Sequence, residues 1–337
     1  MKNLFTGPNA VKNYLDMGQH EPTSCVEVPP ELATFPEGSG IRLFLKMMGP
    51  EAPLNTFKIV PVSRWFAEQY KKGALIKGVT TVVISSSGGA ALAAVIEANA
   101  YGVGIIVIMP ADAPTDKQTL VRCAMKEDYG EFILNRESPG KPTGVELARQ
   151  MGERENHITF DQYGDDINWQ AHSDVTVAQV FEQMDAAELQ VGGIVVAMGT
   201  TGTLLGAREY CKKHSSGTLV VGVMAEEGEP IPAVRTERRL RPTQILFDWK
   251  EGTHQVKVAR YKSYQRTVWA LQCGFKVGLS AGAAIVGAEQ FFTNASVDLI
   301  ESMPQNSDGS RTVVVVVGDV LDPYLQQLRV ILDPHDL

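Results

Sequence analysis

The stretch Gly199-Thr-Thr-Gly-Thr203 determines how the rest of the chain is interpreted. It follows a short β-branched run at 193–198, which predicts a buried strand, and precedes residues 204–213, which predict a helix. A glycine and threonine loop at a helix N-terminus gathers backbone N–H groups, hydroxyls and the positive end of the helix dipole. The pattern therefore predicts a phosphate-binding loop. A tight turn that binds nothing is the alternative, because short motifs often occur in sequences that lack the corresponding function.

This loop lacks the signatures of the common nucleotide-binding motifs. No Gly-Lys-Ser/Thr follows it, so it is not a P-loop. The spacing of Gly199, Gly202 and Gly206 does not fit Gly-x-Gly-x-x-Gly either. The motif thus gives little support to a nucleotide ligand.

Length and composition limit the possible classes of protein. A chain of 337 residues predicts two domains or one large α/β unit, and a net charge of −8 argues against nucleic acid or an anionic membrane as a partner. The first residues lack the apolar core of a signal peptide, and no apolar run has membrane-spanning length. Four scattered cysteines predict reduced thiols, and isolated histidines predict no metal site. We therefore expect a cytoplasmic protein.

Lys58 is the first residue that suggests chemistry. The apolar pattern predicts a helix from about 57 to 72, with Lys58 near its first turn and Phe57, Ile59 and Val60 beside it. A lysine with apolar neighbours is a candidate Schiff-base nucleophile. An ordinary lysine on an amphipathic helix is the alternative.

A second strand, loop and helix occupy residues 79–101. The run 79–84 leads into Ser85-Ser-Ser-Gly-Gly89 and then into an alanine-rich helix, so this loop is a second candidate anion site. A single serine that caps the helix is the alternative. A third small-residue loop, 277–284, begins another helix. Apolar strands alternate with helices along the chain, which predicts an α/β fold with parallel sheets covered on both faces.

Taken together, the motifs resemble those of the cysteine synthase and cystathionine β-synthase family of pyridoxal phosphate enzymes, the tryptophan synthase β-like group called fold type II. The order of the motifs agrees from about residue 40 to 326. The matching segments are Lys46 to Lys58 for the stretch ending in Ser-x-Lys, Ser86-Ser-Gly-Gly-Ala90 for Thr-Ser-Gly-Asn-Thr, Asp161-Gln-Tyr163 with Asn168 and Ala171-His172 for Asp-Gln-Phe/Tyr, Asn and Ala-His, Gly199-Thr-Thr-Gly-Thr203 for Gly-Thr-Gly-Gly-Thr, Gly278-Leu-Ser-Ala-Gly282 for Gly-x-Ser-Ser/Ala-Gly, and Asp319 with Tyr324-Leu325 for the terminal Asp-Ser and Tyr-Leu.

The resemblance implies a fold, a cofactor and residue roles. The fold would have two domains, each a mostly parallel sheet with helices on both faces, and the cofactor would be pyridoxal 5'-phosphate. Lys58 would bind the cofactor covalently and then carry the Cα proton of the substrate. The other cofactor-binding residues would be Gly89, Gly199, Thr200, Thr201, Gly202, Thr203 and Ser280, with Ser280 at the pyridine nitrogen. The substrate carboxylate would be held by Ser86, Ser87, Gly88 and Gln162.

The same resemblance implies an activity and a domain order. We expect β-replacement or β-elimination on an O-activated serine or cysteine-like amino acid, through an aminoacrylate, with a small nucleophile and in a homodimer. An arm at 1–40 would pack on the larger domain. A smaller mobile domain at 41–160 would carry Lys58 and the carboxylate loop, and a larger cofactor-binding domain would span 161–337.

Three departures from the family pattern leave alternatives open. Gly89 stands where the family has an asparagine aimed at the cofactor's 3′ oxygen, Ala90 replaces a threonine, and Ile59-Val60 replaces Asp-Arg. These changes favour a specialised enzyme, or a catalytically altered relative that serves as a binding or scaffold subunit. An NAD(P)-dependent oxidoreductase is a weaker alternative, suggested by Glu226 and Glu227 after a strand.

Overall fold

The computed structural model describes residues 5, 7, 9–15, 21–33, 35, 36, 38–136, 138, 140–240 and 250–329. The strands in this part of the chain are β1 (Cys25–Glu27), β2 (Ile41–Lys46), β3 (Thr81–Ser85), β4 (Gly104–Pro110), β5 (Gly130–Asn135), β6 (His157–Phe160), β7 (Val191–Ala197), β8 (Leu219–Ala225), β9 (His254–Val258) and β10 (Arg311–Val316). The chain divides into two compact units, one made of Met1–Glu21 and Ala52–Ile167 and the other of Pro22–Glu51 and Asn168–Leu337.

The helices connect these strands in both units. They are α1 (Ala10–Leu15), α2 (Met48–Glu51), α3 (Ile59–Lys71), α4 (Gly89–Tyr101), α5 (Thr115–Ala124), α6 (Gly144–Gly152), α7 (Asp166–Ala171), α8 (Ala178–Ala186), α9 (Gly202–His214), α10 (Glu237–Leu240), α11 (Arg260–Gln272), α12 (Leu279–Asn294) and α13 (Val297–Glu301). Short 3-10 turns occupy Pro53–Asn55 and Asp322–Tyr324, and a π-helical turn occupies His172–Val177.

The first unit is built on a parallel sheet in the strand order β5-β4-β3-β6. The centres of β3 and β4 are buried and consist of valine, isoleucine and methionine. Continuous apolar strands of this kind are typical of parallel sheets that are covered on both faces. The carboxyl end of β3 leads into residues 85–88 and then into α4. The sheet therefore delivers the serine-rich loop to a helix N-terminus.

The second unit is built on a larger sheet in the order β1-β2-β10-β7-β8-β9. Only the β1–β2 pair is antiparallel among its described strands. Helix α12, buried from Leu279 to Ala288, packs against β7, β8, β9 and β10 and forms much of the core. The carboxyl end of β7 leads through residues 198–201 into α9. The predicted α/β fold with mostly parallel sheets is confirmed.

The division into units differs from the predicted boundaries at 1–40, 41–160 and 161–337. Residues 22–51 group with the second unit because β2 pairs in parallel with β10, from Ile41 opposite Arg311 to Lys46 opposite Val316. The segment Met1–Glu21 groups with the first unit instead of forming one arm with residues 22–40. The mobility expected of the smaller domain stays a prediction.

Candidate active site

The loop between β7 and α9 carries a strained threonine. Thr201 has a φ of 70°, in the left-handed region. For a β-branched residue this conformation costs on the order of 1–3 kcal/mol and persists only where the surroundings enforce it. Here the Met198 N–H donates to the Val223 carbonyl at 2.8 Å, and the Met198 carbonyl accepts from the Arg235 N–H at 2.8 Å. Strain of this kind is typical of ligand-binding turns.

The Asn168 side chain leaves no room for a Cβ atom at position 202. A Cβ atom at position 202 would lie 2.6 Å from the Asn168 side chain, which is inside van der Waals contact. The Asn168 amide donates to Thr200 Oγ1 at 2.9 Å. At Gly199, a Cβ atom would lie 2.9 Å from the Ala233 carbonyl oxygen. The two glycines therefore allow the Asn168 side chain and the Ala233 carbonyl group to pack closely against this loop.

The start of α9 has the chemistry of an anion site. Thr201 and Thr203 are each 5% exposed, and neither hydroxyl has a hydrogen-bond partner among the described residues. The first N–H groups of any helix also lack intrahelical acceptors and carry the positive end of the dipole. A phosphate monoester would provide acceptors for both sets of donors. Residues 199–203 therefore fit the phosphate of pyridoxal phosphate.

Ser280 belongs to a buried hydrogen-bond network in the second unit. Its hydroxyl donates to Asp319 Oδ1 at 3.3 Å, and the Tyr324 hydroxyl donates to the other oxygen, Oδ2. Tyr324 is completely buried, and burial together with the Asp319 carboxylate raises the pKa of its phenol well above the usual value. The Ser280 hydroxyl donates its proton to Asp319, so its oxygen keeps lone pairs with which it can accept a hydrogen bond from a further partner.

Lys58 lies immediately before α3 in the first unit. Its side chain is half-buried, and Nζ lies 4.6 Å from the centroid of the Phe57 ring. Its backbone N–H donates to Thr56 Oγ1 at 3.3 Å. Ile59 and Val60, which follow it, are fully buried and fix the first turn of the helix. The amine therefore projects from a well-packed helix start.

The predicted carboxylate loop is partly self-capped. Ser86 Oγ accepts from the Gly88 N–H at 3.3 Å and from the Ala91 N–H, in the first turn of α4, at 3.2 Å. The alternative reading, a serine that caps the helix, therefore describes Ser86. The Ser86 hydroxyl proton remains able to donate, and Ser87 is exposed. The Gln162 amide donates to the Ser85 carbonyl at 2.7 Å, which ties that side chain to the loop.

Lys117, in α5, is a residue that the sequence analysis missed. A Cβ atom at Gly88 would lie 2.5 Å from Lys117 Cδ and 3.3 Å from its Nζ. The lysine therefore brings a cation next to the serine-rich loop. Its proximity arises because β3 and β4 pair in parallel and end at the same edge of the sheet. Predicting this contact from the sequence would have required knowing that β3 and β4 are neighbours in the sheet.

Lys46, the other lysine of the 46–58 segment, has a structural environment. It is 0% exposed, and Nζ donates to the Thr23 carbonyl at 2.6 Å and to Gln183 Oε1 at 2.7 Å. Burial lowers the pKa of this amine to about 8. Burial also raises the pKa of Cys25, which is paired opposite Lys46, to about 11. These contacts anchor the end of β2.

The described residues offer neither a metal-binding cluster nor a membrane-spanning helix. No group of three or more His, Cys, Asp and Glu side chains in these residues could hold a metal ion. No helix in the described ranges is both long and apolar enough to cross a membrane.

Comparison with known structures shows the same architecture in several enzymes. The O-acetylserine dependent cystathionine beta-synthase from Helicobacter pylori aligns with a TM-score of 0.75 and 18% identity, covering 97% of this chain and 98% of that one. O-ureido-L-serine synthase aligns with a TM-score of 0.71 and 19% identity, covering 93% and 92% of the two chains. At these identities the likeness concerns the fold.

Sequence comparison identifies the family. Cysteine synthase B from Escherichia coli (strain K12) is 26% identical over 254 residues, which cover 74% of this chain and 80% of that protein. The family described as pyridoxal-phosphate dependent enzyme matches residues 18–316. This match confirms the expected cofactor and decides against the NAD(P)-dependent oxidoreductase. The chain belongs to the family of pyridoxal-phosphate dependent enzymes.

Proposed function

We propose that this enzyme replaces or eliminates the β-substituent of an O-activated serine or cysteine-like amino acid. The observation that carries the proposal is the family match over residues 18–316. The names of similar proteins support the substrate class, since they include cysteine synthase B, an O-acetylserine dependent cystathionine beta-synthase and O-ureido-L-serine synthase. Two of these names include an O-substituted serine, O-acetylserine in one and O-ureido-L-serine in the other.

The predicted cofactor-binding residues other than Gly89 have proposed tasks. Bound pyridoxal phosphate withdraws electrons from the amino-acid Cα, which makes the Cα proton removable. Lys58 would hold the cofactor through Nζ and then take that proton. Residues 199–203 would bind the phosphate through the first-turn N–H groups and the Thr201 and Thr203 hydroxyls. Ser280 would contact the pyridine nitrogen.

The serine-rich loop of the first unit would hold the substrate. The Ser86 hydroxyl proton, Ser87, the backbone at Gly88 and the Gln162 side chain would bind the substrate carboxylate. The Lys117 ammonium beside Gly88 adds a positive charge to that loop. A carboxylate held in this way would fix the direction of Cα, so that the proton, the leaving group on Cβ and Lys58 could be aligned.

The proposal is tested with purified protein, pyridoxal phosphate and a panel of O-acetylserine, O-phosphoserine, serine and cysteine, with sulfide as the nucleophile. We expect cysteine or pyruvate to form from at least one O-activated serine. Lys58→Arg, which keeps the positive charge, should abolish both products. Turnover that survives in Lys58→Arg, or cofactor-loaded protein that converts none of the four amino acids, would overturn the proposal. The second result would favour the scaffold alternative.

Assembly and location form part of the same proposal. We infer a homodimer in the cytoplasm, from the family resemblance and from four cysteines that form no disulfide. Light scattering of the purified protein should give about twice the mass of one 36.7 kDa chain. A mass equal to one chain would contradict the dimer.

A further inference from the structure

Gly89 and Thr56 fit together beside Lys58. An ideal Cβ atom at position 89 would lie 2.6 Å from Thr56 Oγ1, 3.4 Å from Thr56 Cβ and 3.5 Å from Lys58 Cγ. A separation of 2.6 Å lies well inside the contact distance for a carbon and an oxygen, so any side chain at 89 would displace Thr56 or the backbone. The Thr56 side chain thus occupies the space in which a residue at 89 would begin.

Thr56 cannot move aside at low cost. It is 5% exposed and directly follows the 3-10 turn at Pro53–Asn55. Threonine is β-branched, so its χ1 rotamers are restricted. Its Oγ1 also accepts the Lys58 backbone N–H at 3.3 Å. The position of this hydroxyl is therefore fixed relative to Lys58, which immediately precedes α3.

The proton of the Thr56 hydroxyl has no acceptor among the described residues. A hydroxyl oxygen can accept and donate at the same time, and Thr56 is shown only as an acceptor. A buried donor that stays unpaired costs about 1–3 kcal/mol. A ligand attached to Lys58 would bring an acceptor next to this donor and remove that cost.

We propose that Thr56 orients the group bound by Lys58, by donating a hydrogen bond to an oxygen or nitrogen acceptor of that group. Gly89 is the matching small residue that leaves Thr56 in place. The inference rests on the proposed attachment of pyridoxal phosphate to Lys58. It assigns a cofactor contact to a residue outside the predicted site, in a chain whose position 89 has no side-chain donor.

The hydroxyl is tested with Thr56→Val, which keeps the shape, and Thr56→Ser, which keeps the hydroxyl. The wild-type protein is first shown to hold pyridoxal phosphate on Lys58 by its visible absorption and by reduction with borohydride. The dissociation constant of the cofactor and the pH titration of its absorption are then compared. We expect Thr56→Val to bind about tenfold more weakly and to titrate differently. Thr56→Ser should stay within about threefold of the wild type, since it retains the donor.

The results separate this inference from the proposed function. A wild-type protein that never attaches the cofactor to Lys58 would contradict both. A wild type with the attached cofactor, together with a Thr56→Val variant of unchanged affinity and titration, would overturn only the role of Thr56. Equal losses in Thr56→Val and Thr56→Ser would also overturn it, because they would indicate a purely steric effect.

The close fit between Gly89 and Thr56 can be tested without the cofactor. Urea unfolding of the apoprotein gives a double-mutant cycle from Gly89→Ala, Thr56→Ala and the double variant. We expect Gly89→Ala to destabilise the apoprotein, and Thr56→Ala to relieve that loss in the double variant, since the added Cβ then meets no side-chain oxygen. Strictly additive effects would contradict the matched pair.

Discussion

The loops at 85–88 and 198–201 share one local plan but differ in how their polar groups are satisfied. Each follows a buried parallel strand and precedes a helix of 13 residues. In the first loop, Ser86 already accepts two backbone N–H groups, and the Ser85 carbonyl is taken by Gln162. In the second loop, the Thr201 hydroxyl has no hydrogen-bond partner in the described part of the chain, and neither has that of Thr203 in the first turn of α9.

This difference suggests different ligands for the two loops. A loop that caps its own helix is stable when empty, which suits a substrate that arrives and leaves in each turnover. A loop that keeps strain at Thr201 and has two threonine hydroxyls without protein partners among the described residues gains more from a resident anion. The comparison therefore predicts that changes in the first loop affect the substrate and that changes in the second affect the cofactor.

Gly202→Ala should have the largest effect. The new Cβ atom would meet the Asn168 side chain, so we expect a loss of about 1–3 kcal/mol in the free energy of unfolding and much weaker cofactor binding. Urea unfolding and equilibrium dialysis with pyridoxal phosphate measure the two effects. Adding Asn168→Ala should recover part of the stability. Cofactor affinity unchanged in Gly202→Ala would contradict the assignment of this loop.

Ser86→Ala tests the first loop. Loss of the helix-capping oxygen should cost about 1 kcal/mol of unfolding free energy, because the Ala91 N–H then loses its acceptor. The KM of the amino-acid substrate should rise while cofactor affinity stays the same. Ser87→Ala is the matched control, and we expect no loss of stability from it since Ser87 is exposed. Weaker cofactor binding in Ser86→Ala, with an unchanged KM for the amino acid, would contradict the assignment of the first loop to the substrate.

The buried amine of Lys46, in the second unit, should make the free energy of unfolding depend on pH. In the unfolded chain this amine keeps its proton up to about pH 10.5, whereas burial lowers its folded pKa to about 8. Between these values the unfolded state binds more protons, so the free energy of unfolding rises with pH and this contribution is lost as pH falls through 8. We expect this amine alone to contribute a rise of roughly 1 kcal/mol from pH 8 to 9.

This rise is measured by urea unfolding at several pH values, with Lys46→Met as the comparison. The variant should lack it. Cys25 and Cys211 act in the opposite direction, since burial raises their pKa values from 9.0 to about 11 and about 12, which lowers stability as pH climbs from about 8. The contribution of the lysine is therefore the difference in slope between the wild type and Lys46→Met. The same slope in Lys46→Met and in the wild type would show that another group is responsible.

Thr201→Gly should give the smallest change in stability. Glycine relieves the left-handed strain but costs about 0.5–1 kcal/mol in backbone entropy. We therefore expect apoprotein stability to stay within about 1 kcal/mol of the wild type. Cofactor affinity should fall, because the hydroxyl is lost. A variant that binds pyridoxal phosphate as tightly as the wild type would indicate that this hydroxyl does not contact the phosphate.

The sequence predicted the central strands and the loops that follow them more reliably than the edges of the sheets. Strands β3, β4, β7 and β10 are continuous apolar runs, so their period and burial could be read directly. In contrast, β1 has three residues, and β9 includes histidine, glutamine and lysine. Edge strands of this kind lack an apolar signature, and both were missed. Assigning β2 to a sheet depended on its pairing with β10, which no local pattern encodes.

The same limit applies to the site. Lys58, Ser86 and Gly199–Thr203 stand out because their chemistry is visible in short motifs. Thr56 and Lys117 do not stand out, since each is recognised by what lies beside it, Gly89 in one case and Gly88 in the other. The bond from Ser280 to Asp319 spans 39 positions in the chain. Such contacts depend on tertiary packing, which a single sequence does not show.

Mapping the reduced cofactor identifies the lysine to which pyridoxal phosphate is attached. The protein is incubated with pyridoxal phosphate, treated with borohydride and digested, and the labelled peptide is sequenced by mass spectrometry. We expect one stoichiometric adduct, on Lys58, with none on the buried Lys46 or on Lys117. An adduct on another lysine, or no adduct in protein that binds the cofactor, would contradict this expectation.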